Sequence, residues 1–285
     1  MNSNARNNAR SYARGGKRKS PLLVLLIIFF AAVLCVGAVF AALYFFGVRY
    51  IKVPYDDGSG QSGQYIKFIG RVDDDGHPYR GRIVYTNGLT AEVDLERGSI
   101  IYSNKDVYEG ALSDLEKNGH GIMRYANGDV YEGDFSDGKL TGTGTYTYTN
   151  GDVYTGGFVD GKKQGDGVYT WADGSSYEGG FADDKKHGKG LYKWADGSSY
   201  EGDFVYNIKD GTGTYTYVNG DVYTGGFTAD VRCGSGTYKW INGEIYSGEF
   251  VDNLPNGEGT YSWPSGRVYT GYFENGVIVR VDEGE

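Results

Sequence analysis

From Leu22 to Phe46 the chain sets one apolar residue after another, LLVLLIIFFAAVLCVGAVFAALYFF, for 25 positions without a charged or amide side chain. A helix that is apolar on every side suits only an apolar solvent. At 1.5 Å per residue it would measure about 37 Å, enough to cross a hydrocarbon core of about 30 Å with some tilt. The pattern predicts a transmembrane helix within 21–48, with Tyr44 and Tyr50 suited to the interface at its far end. Beyond residue 64 the periodicity changes from helical to two. In YEGDF (131–135) Tyr131, Gly133 and Phe135 point one way and Glu132 and Asp134 the other; in GTGTYTY (142–148) Gly144, Tyr146 and Tyr148 oppose Thr145 and Thr147. Both segments read as strands with one aromatic and one polar face.

The strands recur. Tyr108, Tyr131, Tyr154, Tyr177, Tyr200, Tyr223, Tyr246 and Tyr269 are separated by a constant 23 residues, and glycine pairs from Gly119/Gly121 to Gly257/Gly259 keep the same step. The Asn-Gly and Asp-Gly dipeptides at 127, 150, 173, 196, 219 and 242 predict left-handed residues in tight hairpin turns. Constant spacing then aligns Tyr125, Tyr148, Trp171, Trp194, Tyr217, Trp240 and Trp263 in one column and Phe135 to Phe273 in another. The recurrent glycines are expected to make room for these rings, giving a core that one hairpin could not bury.

The fold class is therefore all-β: a single-layer antiparallel array of β-hairpins with one N-terminal transmembrane helix. The expected parts are a basic disordered tail (1–20), the membrane helix (21–48), a stalk rich in Gly and Ser (49–64), a degenerate unit and cap (65–107), the repeats (108–273) and a tail (274–285). GRIVYTNG (81–88) has the phasing of GIMRYANG (121–128), which marks the worn unit.

Charge adds a direction. The chain carries −9, but residues 1–20 hold six basic and no acidic side chains, leaving −15 for the rest. Basic residues stay in the cytosol, so the repeats are expected on the extracytoplasmic side of the cell membrane, behind an uncleaved signal anchor. The acidic exterior argues against nucleic acid as a partner. It contains no Asn-x-Ser/Thr acceptor, which fits a bacterial cell envelope.

Catalysis needs a nucleophile, base or metal held in a pocket, and the pattern offers no such constellation. His77, His120 and His187 stand apart, and Asp73 to Asp75 lack calcium-loop spacing. No enzymatic activity, metal or cofactor is expected. The features left for binding are Trp171, Trp194, Trp240 and Trp263, whose rings could stack on sugars or receive a partner's side chains, and Lys162, Lys163, Lys185 and Lys186, which could meet phosphate. Besides the bilayer, the expected partner is a protein docked on a scaffold; the alternative is an envelope glycan, or an anionic polymer or lipid. An unprotected terminal strand also permits a homodimer.

The pattern Y-x-G-x-F, polar loop, G-x-G-x-Y-x-(W/Y), then N-G or D-G, cleanest in YEGGFADDKKHGKGLYKWADGSS (177–199), resembles the MORN (membrane occupation and recognition nexus) repeat. The likeness runs from about 108 to 273. It implies the hairpin-array fold; such repeats accompany membrane tethering, scaffolding and accessory parts of lipid kinases and methyltransferases, and this chain has no room for a kinase or methyltransferase domain.

Overall fold

A computed structural model describes residues 21–54 and 65–280. The expected basic tail and most of the expected stalk lie outside these residues. Helix α1 (Pro21–Phe45) has 25 residues and no charged side chain. It stops where Gly47 takes φ +75°, and Arg49 closes its end by donating to the Tyr44 carbonyl at 2.7 Å with its guanidinium 3.7 Å from the Tyr44 ring. The helix is thus shorter than the expected 21–48. Counting only residues whose side chains are described, no helix is long and apolar enough to cross a membrane; the 25-residue span includes several whose side chains are not described.

The rest is one antiparallel sheet of 21 strands. It begins with β1 (Val48–Pro54), β2 (Tyr65–Val72), β3 (Pro78–Val84), β4 (Thr90–Asp94) and β5 (Ser99–Tyr102). Regular alternation of seven- and nine-residue strands follows, from β6 (Val107–Ser113), β7 (Glu116–Arg124), β8 (Val130–Ser136), β9 (Lys139–Thr147), β10 (Val153–Val159) and β11 (Lys162–Thr170) to β20 (Val268–Glu274), with a short β21 (Val277–Arg280) at the end. Every strand pairs with its neighbours in sequence, so the sheet is an open meander.

Two expectations are corrected at the ends of the array. The beginning of the expected stalk is β1, because Ile51 and Val53 alternate inward and pack on the core while the strand pairs along β2. The expected C-terminal tail contains β21, which pairs Glu274 with Val277 across a tight turn.

A single layer must make its core on one face, and here tyrosine rings lie over glycines. Tyr131 is fully buried. Its ring covers Gly133 on its own strand and Gly144 on the next, and a Cβ on either glycine would stand 2.5 Å from it. The hydroxyl donates to the Asp134 carbonyl at 3.1 Å. Phe135 and Phe158 then pack edge-on at 5.2 and 5.1 Å, so each tyrosine joins the phenylalanines of two successive units. The same arrangement recurs from Tyr154 to Tyr246, and at Tyr108 with Leu112 in place of its own unit's phenylalanine.

The dipeptides at 127 to 242 do form tight turns, with the glycine as the positive-φ residue. At 125–129 the Tyr125 amide bonds the Asp129 carbonyl and the Gly128 amide bonds Tyr125, which makes a three-residue loop with Gly128 alone at positive φ (+94°). Asn127 is not left-handed; its side chain accepts from the Asp129 amide at 3.0 Å. Two consecutive left-handed residues occur at the opposite edge, at Asp137-Gly138 (φ 48° and 76°) and, without any glycine, at Tyr206-Asn207 (46° and 80°). Successive units hold these turns: the Asn207 amide bonds the Lys186 carbonyl and Asn207 Oδ1 accepts from the Lys186 amide, both at 2.9 Å.

Candidate functional site

Outside the buried tyrosines, the aromatic face carries a second file of rings. Tyr125, Tyr146, Tyr148, Tyr169, Trp171, Tyr192, Trp194, Tyr215, Tyr217, Tyr238, Trp240, Tyr261 and Trp263 follow one another with centroids 4.4 to 5.9 Å apart. Strand alternation puts two of them on each hairpin, and the 23-residue step brings the next pair alongside. All are half-buried.

Carboxylates at one edge tie this ladder down. Tyr146 donates to Asp129 Oδ2 at 3.1 Å, Tyr169 to Asp152 Oδ2 at 2.8 Å and Tyr238 to Asp221 Oδ2 at 2.8 Å. Each carboxylate also accepts a backbone amide from the following loop, as Asp152 does from Ala172 at 2.9 Å. These bonds hold Asp152 below the usual carboxylate pKa, the Ala172 amide being the largest cause; desolvation pushes the Tyr169 phenol up.

A row of cations runs between the ladder and the phenylalanine column. Lys186 Nζ is 4.3 Å from the Tyr192 centroid and 5.5 to 5.7 Å from Trp171, Tyr177 and Phe204. Lys209 and Arg232 each occupy a corresponding four-ring cage, and Lys163 one of three. Desolvation lowers the pKa of Lys186 and Lys209. Lys163 and Lys209 face Asp184 and Asp230 at 3.6 and 3.8 Å. Cation–π attraction and burial of the lysine stems therefore cover a face that would otherwise be bare aromatic surface.

This geometry divides the lysines singled out in the sequence. Lys163 and Lys186 lie on the aromatic face. Lys162 and Lys185 alternate to the other, where Lys162 bonds Asp183 at 2.8 Å and Lys185 stands 5.6 Å from the Tyr206 ring. The tryptophans do share one file, but Trp171, Trp194 and Trp240 each pack between two tyrosines. Trp263 has Tyr261 at 4.7 Å and the Arg267 guanidinium at 4.9 Å. The rings that flank Trp171, Trp194 and Trp240 are tilted against them by 38–48°.

The cation row and the tyrosine–carboxylate bonds were absent from the sequence reading. Their signals were the recurring Lys or Arg at 163, 186, 209 and 232, and Asp at 129, 152 and 221 with a tyrosine 17 residues later. The polar face has its own feature, an open groove of about 950 Å³ lined by Glu178, Lys189, Leu191, Glu201, Thr212 and Thr224. Among the described residues no group of His, Cys, Asp and Glu could hold a metal ion.

An open sheet of stacked hairpins with tyrosines seated on paired glycines defines a β-hairpin repeat protein. The chain belongs to the MORN repeat family, whose profile matches residues 108–130, 131–153, 154–176, 177–199, 200–222, 223–245 and 246–266, just over half of its length. No curated protein matches it. Among solved structures it is similar to the TCP10 domain of CPAP from Danio rerio, at 13% identity and a TM-score of 0.34, over 79% of this chain and 100% of that one. It is also similar to the TCP domain of SAS-4 (dCPAP) from Drosophila melanogaster, in complex with a proline-rich motif of Ana2, at 14% identity and a TM-score of 0.27, over 72% and 96%. Likeness at this level says nothing of what this chain binds.

Proposed function

We propose that the chain is a membrane-tethered docking scaffold, non-catalytic, whose repeats lie on the extracytoplasmic side and hold a protein partner against the aromatic face. The observation that carries the docking is the continuous half-buried ladder from Tyr125 to Trp263 with cations set beside it. Aromatic rings and arginines at a rigid, partly desolvated surface are what protein interfaces use as anchors. The ring packing around Trp171, Trp194 and Trp240 makes stacked glycan binding the weaker reading.

The tether rests on α1. Its described side chains are uncovered by the rest of the chain, with Leu34 73% and Phe40 68% exposed, and such a helix needs an apolar surrounding. Arg49 and Tyr44 at its end suit an interface. The basic tail before it and the acidic sheet after it support a cytosolic amino terminus.

Fusion of alkaline phosphatase after Glu285 tests the side: the proposal expects an active enzyme, and a fluorescent cytosolic reporter at the same position would contradict it. Docking is tested by exchanging Trp194 for a photoreactive amino acid in intact cells. A discrete protein adduct is expected, and adducts to glycan or lipid alone would overturn the protein reading.

A further inference from the structure

The continuous ladder stops at Tyr125, and a pocket opens between it and the next ring, Tyr102. In successive units the residue opposite the buried tyrosine is itself a tyrosine: Tyr146 faces Tyr131 and Tyr169 faces Tyr154. Opposite Tyr108 stands Met123. The ring that would join Tyr102 to Tyr125 is therefore missing, and a cavity of about 290 Å³ opens there, lined by Tyr85, Tyr102, Asp106, Lys117, Met123 and Tyr125.

The missing ring also leaves a hydrogen-bonding place. Asp106 occupies the position of Asp129, Asp152 and Asp221, and its Oδ1 likewise accepts the amide of the following loop, from Ala126 at 2.7 Å. In those three units Oδ2 takes a tyrosine hydroxyl from 17 residues on. Asp106 Oδ2 takes the Asn104 amide at 2.9 Å, but Met123, 17 residues on, has no hydroxyl to offer. Lys117 Nζ stands 5.6 Å from the Tyr102 ring, as Lys163 stands beside Tyr148. The pocket keeps the ring walls, the carboxylate and the cation of a ladder position while lacking the phenol.

We infer that this pocket is a socket for a phenolic side chain supplied in trans: a tyrosine of the partner protein enters between Tyr102 and Tyr125 and donates its hydroxyl to Asp106 Oδ2. This rests on the proposed docking role and names where the partner is anchored. A phenol recovers both ring contacts and the hydrogen bond. Phenylalanine recovers only the first, and it excludes water from Asp106 Oδ2 without replacing it.

The test titrates the full chain in detergent with N-acetyl-tyrosinamide and N-acetyl-phenylalaninamide, followed by NMR shifts of the methyl groups of Leu89, which lines the pocket and is kept in every variant. The tyrosine probe is expected to bind about tenfold more tightly, a preference that Asp106→Asn removes. Met123→Tyr should fill the socket from within, raising Tm and abolishing probe binding, while Met123→Leu should keep it. Equal binding of the two probes, no shift with either, or probe binding retained in a folded Met123→Tyr variant would each overturn the socket. Photo-crosslinking from Trp194 separates the two claims: a protein adduct alongside a failed titration removes the socket and leaves the docking surface.

Discussion

The ring of Tyr154 rests on Gly167 of the paired strand so closely that a Cβ on the glycine would stand 2.6 Å from ring carbon Cε2 and from the hydroxyl oxygen. Glycine is required there as space, whereas Gly165, two residues earlier, has open surroundings but φ +73°. Gly167→Ala should cost about 1–3 kcal/mol through overpacking. Gly165→Ala should cost roughly 1–2 kcal/mol through backbone strain, most of it recovered by Gly165→Asn, which tolerates that conformation. Urea unfolding of the three variants separates the causes; equal losses for Gly165→Ala and Gly165→Asn would remove the distinction.

The buried tyrosines predict alkaline unfolding. Desolvation pushes Tyr108, Tyr154, Tyr177, Tyr200 and Tyr223 from the ordinary 10.0 to about 12. A phenol whose folded pKa is raised contributes stability that is full below the unfolded value and lost as pH rises through the folded one. Tyrosinate absorbance should therefore show an early phase from exposed tyrosines, then a steep step between about pH 10 and 12 that coincides with loss of the sheet's circular dichroism. Smooth titration without unfolding would contradict this.

Acid acts through the edge carboxylates. Asp152 and Asp221 lie below the ordinary 3.8, Asp152 chiefly through the Ala172 amide, and Asp221 because desolvation, the largest single influence and a raising one, is outweighed by the hydrogen bonds from Ile241, Asn219 and Tyr238 together. Their contribution is present above the unfolded value and lost as pH falls through the folded one. Asp152→Asn should lower Tm at neutral pH and flatten its fall below about pH 4. An unchanged acid slope would show that the ladder does not depend on this charge.

At the other edge, Asn207→Ala removes the acceptor of the Lys186 amide and places alanine at φ 80°. The expected loss is roughly 2–3 kcal/mol, of which Asn207→Gly should recover the conformational part of about 1–2. Thermal melts of both variants check it.

Much of the array was legible because its chemistry repeats. A constant interval and strand alternation placed the recurring tyrosines, the phenylalanines and the column from Tyr125 to Trp263 on one face; the file from Tyr169 to Tyr261 that completes the ladder came from the structure. Where other residues solve the same packing problem, the pattern hid it. Phe68 sits over Gly70 and Gly81 as Tyr131 sits over Gly133 and Gly144, with Phe68 opposite Ile83, so β2 and β3 form a hairpin of the same construction without its tyrosines. GRIVYTNG was recognised as a worn unit from its second half; its first half, FIGRV (68–72), was the missed signal. The dipeptides at 127 to 242 do mark tight turns with the glycine at positive φ, but the second set of turns was not read: Tyr206-Asn207 is held left-handed by a neighbouring unit 21 residues away, which no local dipeptide reveals.

The role proposed for the aromatic face is tested most directly by photoreactive substitutions at Trp194 and at Leu191 in intact cells, since strand alternation sends these residues to opposite faces of one sheet. The account predicts a protein adduct from Trp194 and none of the same mass from Leu191. The reverse pattern, or adducts from neither, would contradict it.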